Sequence, residues 1–286
     1  MKNIVWLASY PKSGNTWFRM FLSNYLKNTD APLSLEEIQS TRIASSAIDF
    51  EEIVGLNPFE LTGDEVDLWR PDLYQSISEE YAKKNEICYK KVHDAYTINL
   101  YGRPLFPEEY SKCTVYFVRN PLDVCVSFAN HSDSKIEEKV NQIVDENATL
   151  GGGKKGQLRQ ILKSWKGHIK SWQSQSAIPV HFVRYEDMLQ NPVEAFEQII
   201  RFIGLEHEEH RLKKAIVNSD FKVLQQLEKE NGFIEKKQHC QNFFWKGKIG
   251  NYKDHLTAEQ ISRIVEYSYD TMKEFGYIDK DGVLTV

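Results

Sequence analysis

The sequence predicts an α/β fold, a parallel β-sheet flanked by helices, and three observations carry that expectation. Four short runs rich in β-branched and aromatic residues (3–8, 87–92, 114–118 and 180–184) read as buried strands. Longer helix-like stretches lie between them, and strands alternating with helices argue for a parallel sheet covered on both faces. The residues that look able to do chemistry come just after these runs. Ligands in such sheets bind there, outside the carboxyl ends of the strands.

The elements are justified in order. After the first strand, residues 13–27 place Trp17, Phe21, Leu22 and Tyr25 roughly on one helical face. Pro121 falls in the first turn of a helix running to about His131, where proline is tolerated. Residues 157–173, 192–203 and 257–275 are further helices. The patch Gly151-Gly152-Gly153-Lys154-Lys155-Gly156 is expected to be a mobile loop, a candidate lid. There is no internal repeat and no persuasive linker, so residues 1–286 are expected to form a single domain.

Composition narrows the function. Apolar residues at 41% and aromatics at 12% of 286 residues are enough for a sizeable core. A net charge of −5 argues against a nucleic-acid partner, which would call for a basic excess. Cys88, Cys113, Cys125 and Cys240 form no C-x-x-C pair and read as thiols of a reducing compartment. The only apolar run near the N-terminus, 4–8, is too short for a signal-peptide core, and nothing approaches a membrane span. The expectation is a cytoplasmic protein without a membrane partner. Glu206-His207-Glu208-Glu209-His210 lacks the four-residue histidine spacing of H-E-x-x-H, so no metal is expected.

The first strand leads into Tyr10-Pro11-Lys12-Ser13-Gly14-Asn15-Thr16-Trp17. A strand, a glycine turn and a helix start aim backbone N–H groups and the positive helix end at an anion. Lys12 adds a full charge; Ser13 and Thr16 add hydroxyl donors. The lysine precedes a single glycine, so this is not the G-x-x-x-x-G-K-[ST] pattern of common ATPases. The strand 87–92 runs into Lys90-Lys91-Val92-His93-Asp94, and alternation puts Lys91 and His93 on one face.

These residues resemble the sulfotransferases that use 3′-phosphoadenosine 5′-phosphosulfate (PAPS). Tyr10–Trp17 is similar to their 5′-phosphosulfate loop, Y-P-K-S-G-T-x-W, with Asn15 where threonine is common. Three further matches follow in order, so the similarity spans roughly residues 3 to 257. In Val118-Arg119-Asn120-Pro121-Leu122-Asp123-Val124-Cys125-Val126-Ser127, the resemblance assigns Arg119 and Ser127 to the 3′-phosphate. A guanidinium fork suits that task. Phe244-Trp245-Lys246-Gly247-Lys248-Ile249-Gly250-Asn251-Tyr252-Lys253 resembles the family's R-K-G-x-x-G-x-W-K loop. Lys246 and Gly247 carry over, while Trp245 stands where the arginine belongs and Tyr252 where the tryptophan does. The resemblance gives Trp17, Tyr185 and Phe221 to adenine, since aromatic faces stack on purines.

The family's K-x-H pattern matches Lys91 and His93, with His93 as general base and an ordinary pKa near ~6.5. Sulfuryl transfer resembles phosphoryl transfer, in which the protein mainly positions groups and neutralises oxygens. The resemblance therefore implies a P-loop-kinase-like sulfotransferase fold, PAPS as co-substrate, 3′,5′-adenosine bisphosphate (PAP) as product, and no metal. Lys12 would face the bridging oxygen of the leaving bisphosphate. Lys91 and Thr16 would hold sulfuryl oxygens, and Ser127 would restrain Lys12 until acceptor arrives. A nucleotide-dependent kinase and a non-catalytic nucleotide-binding protein are the competing readings. The first lacks a convincing magnesium-binding acid, and the second predicts loss of Lys12 or His93.

For the acceptor, the long segments after the first helix and after His131 resemble bacterial members and imply a small-molecule acceptor. Eight acids against Arg70 alone between residues 48 and 72, with Asp94 beside His93, raise the expectation of a cationic or polar acceptor drawn by their field. The family's K-x-x-x-T-V-x-x-x-E pairing segment is matched only by Lys253 and Thr257, Ala258 and Ser262 replacing the valine and glutamate. A monomer or weak homodimer is expected.

Overall fold

The computed structural model describes residues 1–153, 156–236 and 242–286; Lys154 and Lys155 of the glycine patch, and Cys240, lie outside them. Its strands are β1 (Ile4–Ser9), β2 (Cys88–Val92), β3 (Ser111–Val118), β4 (Thr149–Leu150), β5 (Gln160–Ile161) and β6 (Val180–Arg184). The central sheet has the order β2-β1-β3-β6 and is mostly parallel. Ile4 stands opposite Cys88 and Ala8 opposite Val92 in the parallel β1–β2 pair. The helices are α1 (Asn15–Lys27), α2 (Ala47–Val54), α3 (Gly63–Lys83), α4 (Pro121–Ser132), α5 (Ile136–Val144), α6 (Trp165–Ser174), α7 (Tyr185–Gln190), α8 (Pro192–Phe202), α9 (Glu209–Asn218), α10 (Phe221–Asn231) and α11 (Ala258–Glu274). Among the described residues, no helix is long and apolar enough to cross a membrane.

The chain divides into two compact units. The first comprises Met1–Tyr10, Thr41–Tyr116 and Glu146–Phe182, and the second Pro11–Ser40, Phe117–Asp145 and Val183–Val286. Most of the sheet belongs to the first unit. There β1 is buried from Ile4 to Ala8, as a strand covered on both faces must be. Trp6 meets Tyr74 and Phe106 edge-on, each at 5.0 Å, and its indole N–H donates to Ser111 Oγ at 2.7 Å.

One helical expectation changes in this unit, and one helix was not expected. Residues 157–164 are not helical: β5 pairs with β4, and the helix starts only at Trp165. The backbone of Ile161 is claimed by its neighbours instead, its N–H donating to Asp94 Oδ1 and its carbonyl accepting from the Ala95 N–H. Lys163 turns the chain at φ 59, and Ser164 Oγ then caps α6 by accepting from the Gly167 N–H at 2.9 Å. The 21-residue α3, by contrast, was hidden in the acidic segment. Its start is a capping box in which Thr62 and Glu65 bond each other's backbone N–H. Pro71 lies inside it and leaves the carbonyl of Asp67 without its helical donor. Asn99 Nδ2 donates to that carbonyl at 3.1 Å, so the helix continues.

In the second unit α1 turns Phe18 and Phe21 inward, and Phe21 stacks on Phe196 of α8 at 4.2 Å. As expected, α4 opens on Pro121; Asn120 Oδ1 caps it, accepting from the Leu122 N–H at 3.0 Å. A smaller core of Met20, Leu35, Ile38, Leu224, Phe233 and Phe244 lies beside Trp17 and Phe221.

Candidate donor site and candidate base

The second unit holds the phosphate-loop residues, and its geometry fits an anion. Gly14 is the N-cap of α1 at φ 96, ψ 0, and no side chain caps the helix there. The open first turn presents its amides and the positive end of the helix dipole. Ser13 Oγ is buried without a hydrogen-bond partner among the described residues. A Cβ at Gly14 would lie 2.7 Å from Tyr185 Cδ2 and 3.0 Å from Met188 Cε, so the backbone approaches α7 as only glycine can. Lys12 adopts φ 70, a left-handed conformation that costs a lysine about 1–2 kcal/mol, and its ammonium sits 4.2 Å over the Phe243 ring. Asn15 and Thr16 open α1, both buried. The Thr16 hydroxyl donates to Glu235 Oε2 at 3.2 Å, and Glu235 Oε1 also pairs with the buried Arg19 at 2.7 Å.

Arg119, just past β3, is drawn into the same group. Its guanidinium donates to the carbonyl of Lys12 at 3.0 Å and to that of Lys248 at 3.3 Å, and lies 4.3 Å over the Tyr185 ring. Ser127 is half-buried on α4, two turns further on. Tyr185 is only 6% exposed, walled by Gly14 and Arg119. Trp17 and Phe221 are half-buried. The Trp17 indole N–H donates to the Ser219 carbonyl at 2.9 Å, and Phe221 packs on Gly247, where a Cβ would come within 2.7 Å of the ring. Lys246 Nζ donates to Asn251 Oδ1 at 2.7 Å and stands 4.5 Å over Trp245.

Sequence reasoning missed two carboxylates here. Asp123 is buried on α4 and accepts from the N–H groups of Gly250 and Tyr252, at 2.8 and 2.9 Å, clamping the glycine loop. Its place three residues after the helix cap, beside a motif already recognised, was the signal. Glu186 accepts from the Asn120 N–H at 3.1 Å and the Tyr277 hydroxyl at 2.8 Å, tying α7 to the start of α4; burial pushes its carboxyl up.

The first unit holds the candidate base. Lys91 is half-buried near the end of β2, its backbone bonded to Arg42 and Ala44 on the sheet's outer side. His93 follows β2 and is 9% exposed, with Nδ1 2.8 Å from the Ser9 carbonyl and 3.3 Å from Ser9 Oγ. A carbonyl only accepts, so Nδ1 carries the proton and Nε2 carries the lone pair. The aspartates among the acids expected to set the field near the acceptor are ion-paired. Asp94 grips the fully buried Arg70 with both oxygens at 2.9 and 2.8 Å. Asp67 pairs with Arg70 and Arg159, Asp64 with Arg159, Asp72 with Arg103, and Asp49 with Lys90 and Arg42. The single base counted between residues 48 and 72 neglected partners from elsewhere in the chain, so the aspartates of the segment are ion-paired while Glu51, Glu52, Glu60 and Glu65 stay exposed.

A family model described as a sulfotransferase domain matches residues 2–276. Sulfotransferase 1B1 of Canis lupus familiaris is 23% identical over 89% of this chain and 78% of its own length. Flavonol 3-sulfotransferase of Flaveria bidentis is 25% identical over 92% and 79%. Among solved structures, mouse sulfotransferase SULT7A1 complexed with PAP superposes with TM-score 0.59 at 18% identity, covering 96% of this chain and 87% of that one. Retinol dehydratase in complex with androsterone and PAP superposes with TM-score 0.62 at 16% identity, covering 98% and 83%. These structures share the fold. With a strand–glycine-loop–helix turn that presents an uncapped helix end, and a family match over nearly its whole length, the chain belongs to the sulfotransferase domain family.

Proposed function

We propose that the chain transfers a sulfuryl group from PAPS to a hydroxyl of a small-molecule acceptor and releases PAP, with His93 as general base. The observation that carries this reading is the anion cradle of the second unit: an uncapped α1 start, Gly14 pressed against Tyr185, and a buried Ser13 hydroxyl with no partner among the described residues. PAPS supplies an activated sulfuryl group on a bisphosphate leaving group. Ser13, Gly14, Asn15 and the α1 amides would bind the 5′-phosphosulfate, and Lys12 would neutralise charge growing on the leaving oxygen. Arg119 and Ser127, with Lys246 and Gly247, would take the 3′-phosphate; Trp17 and Phe221 are the aromatics with surface left for adenine. Tyr185 joins the group as the wall behind Gly14.

His93 Nε2 would accept the acceptor's proton, its tautomer set by the Ser9 carbonyl, while Lys91 would hold a sulfuryl oxygen. Ion pairing of Asp49, Asp64, Asp67, Asp72 and Asp94 weakens the field that would draw a cationic acceptor and supports an uncharged alcohol or phenol. Of the relatives' names, flavonol 3-sulfotransferase fits that class and amine sulfotransferase of Oryctolagus cuniculus does not. The same reading proposes a cytoplasmic monomer or weak homodimer, since Thr257 of the partly matched pairing segment serves as the N-cap of α11.

The test separates donor from base. His93→Ala should abolish transfer and leave PAP affinity within about twofold. Arg119→Ala should weaken PAP by roughly 10- to 150-fold, from about 1.5–3 kcal/mol for a charge-assisted contact, and adenosine 5′-phosphosulfate far less. Tighter binding of ATP than of PAP, or equal losses for both ligands in Arg119→Ala, would overturn the assignment.

A further inference from the structure

We propose that Tyr116 and His168 are positioning residues for His93, closing with Ser9 and Tyr10 a ring of hydrogen bonds that fixes the base at both its imidazole and its backbone. Every member lies in the first unit. His93 Nδ1–H donates to the Ser9 carbonyl at 2.8 Å. The carbonyl of His93 itself accepts from His168 Nε2 at 3.1 Å. That bond requires Nε2 of His168 to carry its proton, so Nδ1 is the acceptor, and the Tyr116 hydroxyl donates to it at 2.6 Å. The hydroxyl oxygen of Tyr116 is in turn hydrogen-bonded by the backbone of Tyr10, the residue after Ser9. The circuit thus returns to its start, and the Tyr10 ring meets the His168 ring edge-on at 5.7 Å.

The placement of these residues follows from the fold. Ser9 ends β1, His93 follows the neighbouring β2, and Tyr116 stands on β3, the other neighbour of β1. The α6 helix supplies a second anchor one turn on, where Trp172 Nε1 donates to the carbonyl of Asp94 at 3.1 Å. Two consecutive carbonyls of the base-bearing segment are therefore held by residues i and i+4 of one helix. The Asp94 carboxylate is locked separately by Arg70, which also contacts the Tyr74 hydroxyl at 3.1 and 2.9 Å. His168 is fully buried, and burial holds it down at about 4, so it stays neutral in a single tautomer near pH 7. A buried histidine kept only to fill space would not need both nitrogens committed along one path to the base.

The inference rests on His93 as base, and the experiment keeps the two claims apart. Imidazole 15N NMR is recorded on the wild-type chain and on Tyr116→Phe, His168→Gln and His168→Phe, with His93 signals assigned by their loss in His93→Ala. The wild-type chain should show His93 protonated at Nδ1. Tyr116→Phe and His168→Phe should shift it toward a mixture of tautomers, and His168→Gln, which keeps an amide donor, should retain most of the wild-type state. Transfer from PAPS to 4-nitrophenol should fall about tenfold to a hundredfold in kcat for Tyr116→Phe and His168→Phe, the scale of losing about 1 Å of alignment, with the KM for PAPS within about twofold. An unchanged His93 tautomer in both Tyr116→Phe and His168→Phe overturns the ring. Should His168→Phe fail to fold, the isosteric Tyr116→Phe decides alone. Retained transfer in His93→Ala would overturn the base while leaving the NMR outcome to judge the ring.

Discussion

Replacing Gly14 by alanine should damage the donor loop by an amount the geometry allows to be worked out. At φ 96 an L-residue pays about 1–2 kcal/mol for a left-handed backbone. The new methyl would also lie 2.7 Å from Tyr185 Cδ2, 3.0 Å from Met188 Cε and 3.4 Å from Tyr185 Cε2. The methionine end can swing away. Tyr185 cannot, because it is 6% exposed and carries the Arg119 guanidinium 4.3 Å over its ring. Overpacking of this kind costs about 1–3 kcal/mol. Together the terms give roughly 2–5 kcal/mol, or a fall in Tm on the order of 10 °C. If the loop yields instead of Tyr185, the loss moves from stability to nucleotide affinity, since Arg119 also holds the carbonyl of Lys12. Thermal melts and calorimetric titration with PAP, run on Gly14→Ala alone and combined with Tyr185→Leu, divide the two. The double variant should recover part of the stability because the smaller side chain admits the methyl. An unchanged Tm together with unchanged PAP affinity in Gly14→Ala would refute the account of this loop.

Two further perturbations follow from buried groups. Asp123→Ala should free the glycine loop by removing two charge-assisted bonds to Gly250 and Tyr252, weakening PAP by at least tenfold in titration; wild-type affinity would show that the loop does not need the clamp. His168 titrates near 6.5 when unfolded and near about 4 when folded, so the unfolded chain takes up the proton first. Its contribution is complete above pH 6.5 and is lost as pH falls toward 4. Denaturant melts should show the wild-type chain losing about 3 kcal/mol more than His168→Gln between pH 7 and pH 4, and parallel pH profiles would contradict the burial argument.

What was legible in the sequence was whatever depends on local order. The four strand runs, the proline start of α4 and the glycine turn before α1 are written in consecutive residues, and each stands within a few positions of its expected place. The helix expected over 157–173 failed in its first half because Ile161 spends its backbone on Asp94 and Ala95, partners more than sixty residues away. The α3 helix carries a readable start, Thr62-x-x-Glu65, but a proline inside a helix removes a backbone donor, and the rescue at Pro71 by Asn99 is a tertiary fact. Tyr185 shows the same limit within the site. Motif order marks it as important, yet its burial against Gly14 and Arg119 is visible only in the packing.

Charge is the property a sequence misstates most readily, and the acceptor expectation turned on it. Counting acids between residues 48 and 72 treats each as a source of field, whereas a carboxylate held at 2.6–2.9 Å by a guanidinium or ammonium is nearly a dipole to anything beyond its own partner. Arg103, Arg159 and Lys90 come from other elements of the first unit to meet Asp72, Asp64, Asp67 and Asp49. The consequence for Asp94 is the sharper one. Adjacent to His93 in sequence, it invites a role as the partner that charges the base, but both of its oxygens are spent on Arg70. The imidazole bonds the neutral carbonyl of Ser9 instead. A base that must pick up a proton and give it back is better served by a neutral orienting acceptor than by a full negative charge, which would hold the proton after it had been taken. In the proposed mechanism the Arg70–Asp94 pair would act by fixing the backbone on which His93 stands, and the dipole of the Ser9 carbonyl would choose which nitrogen receives the proton.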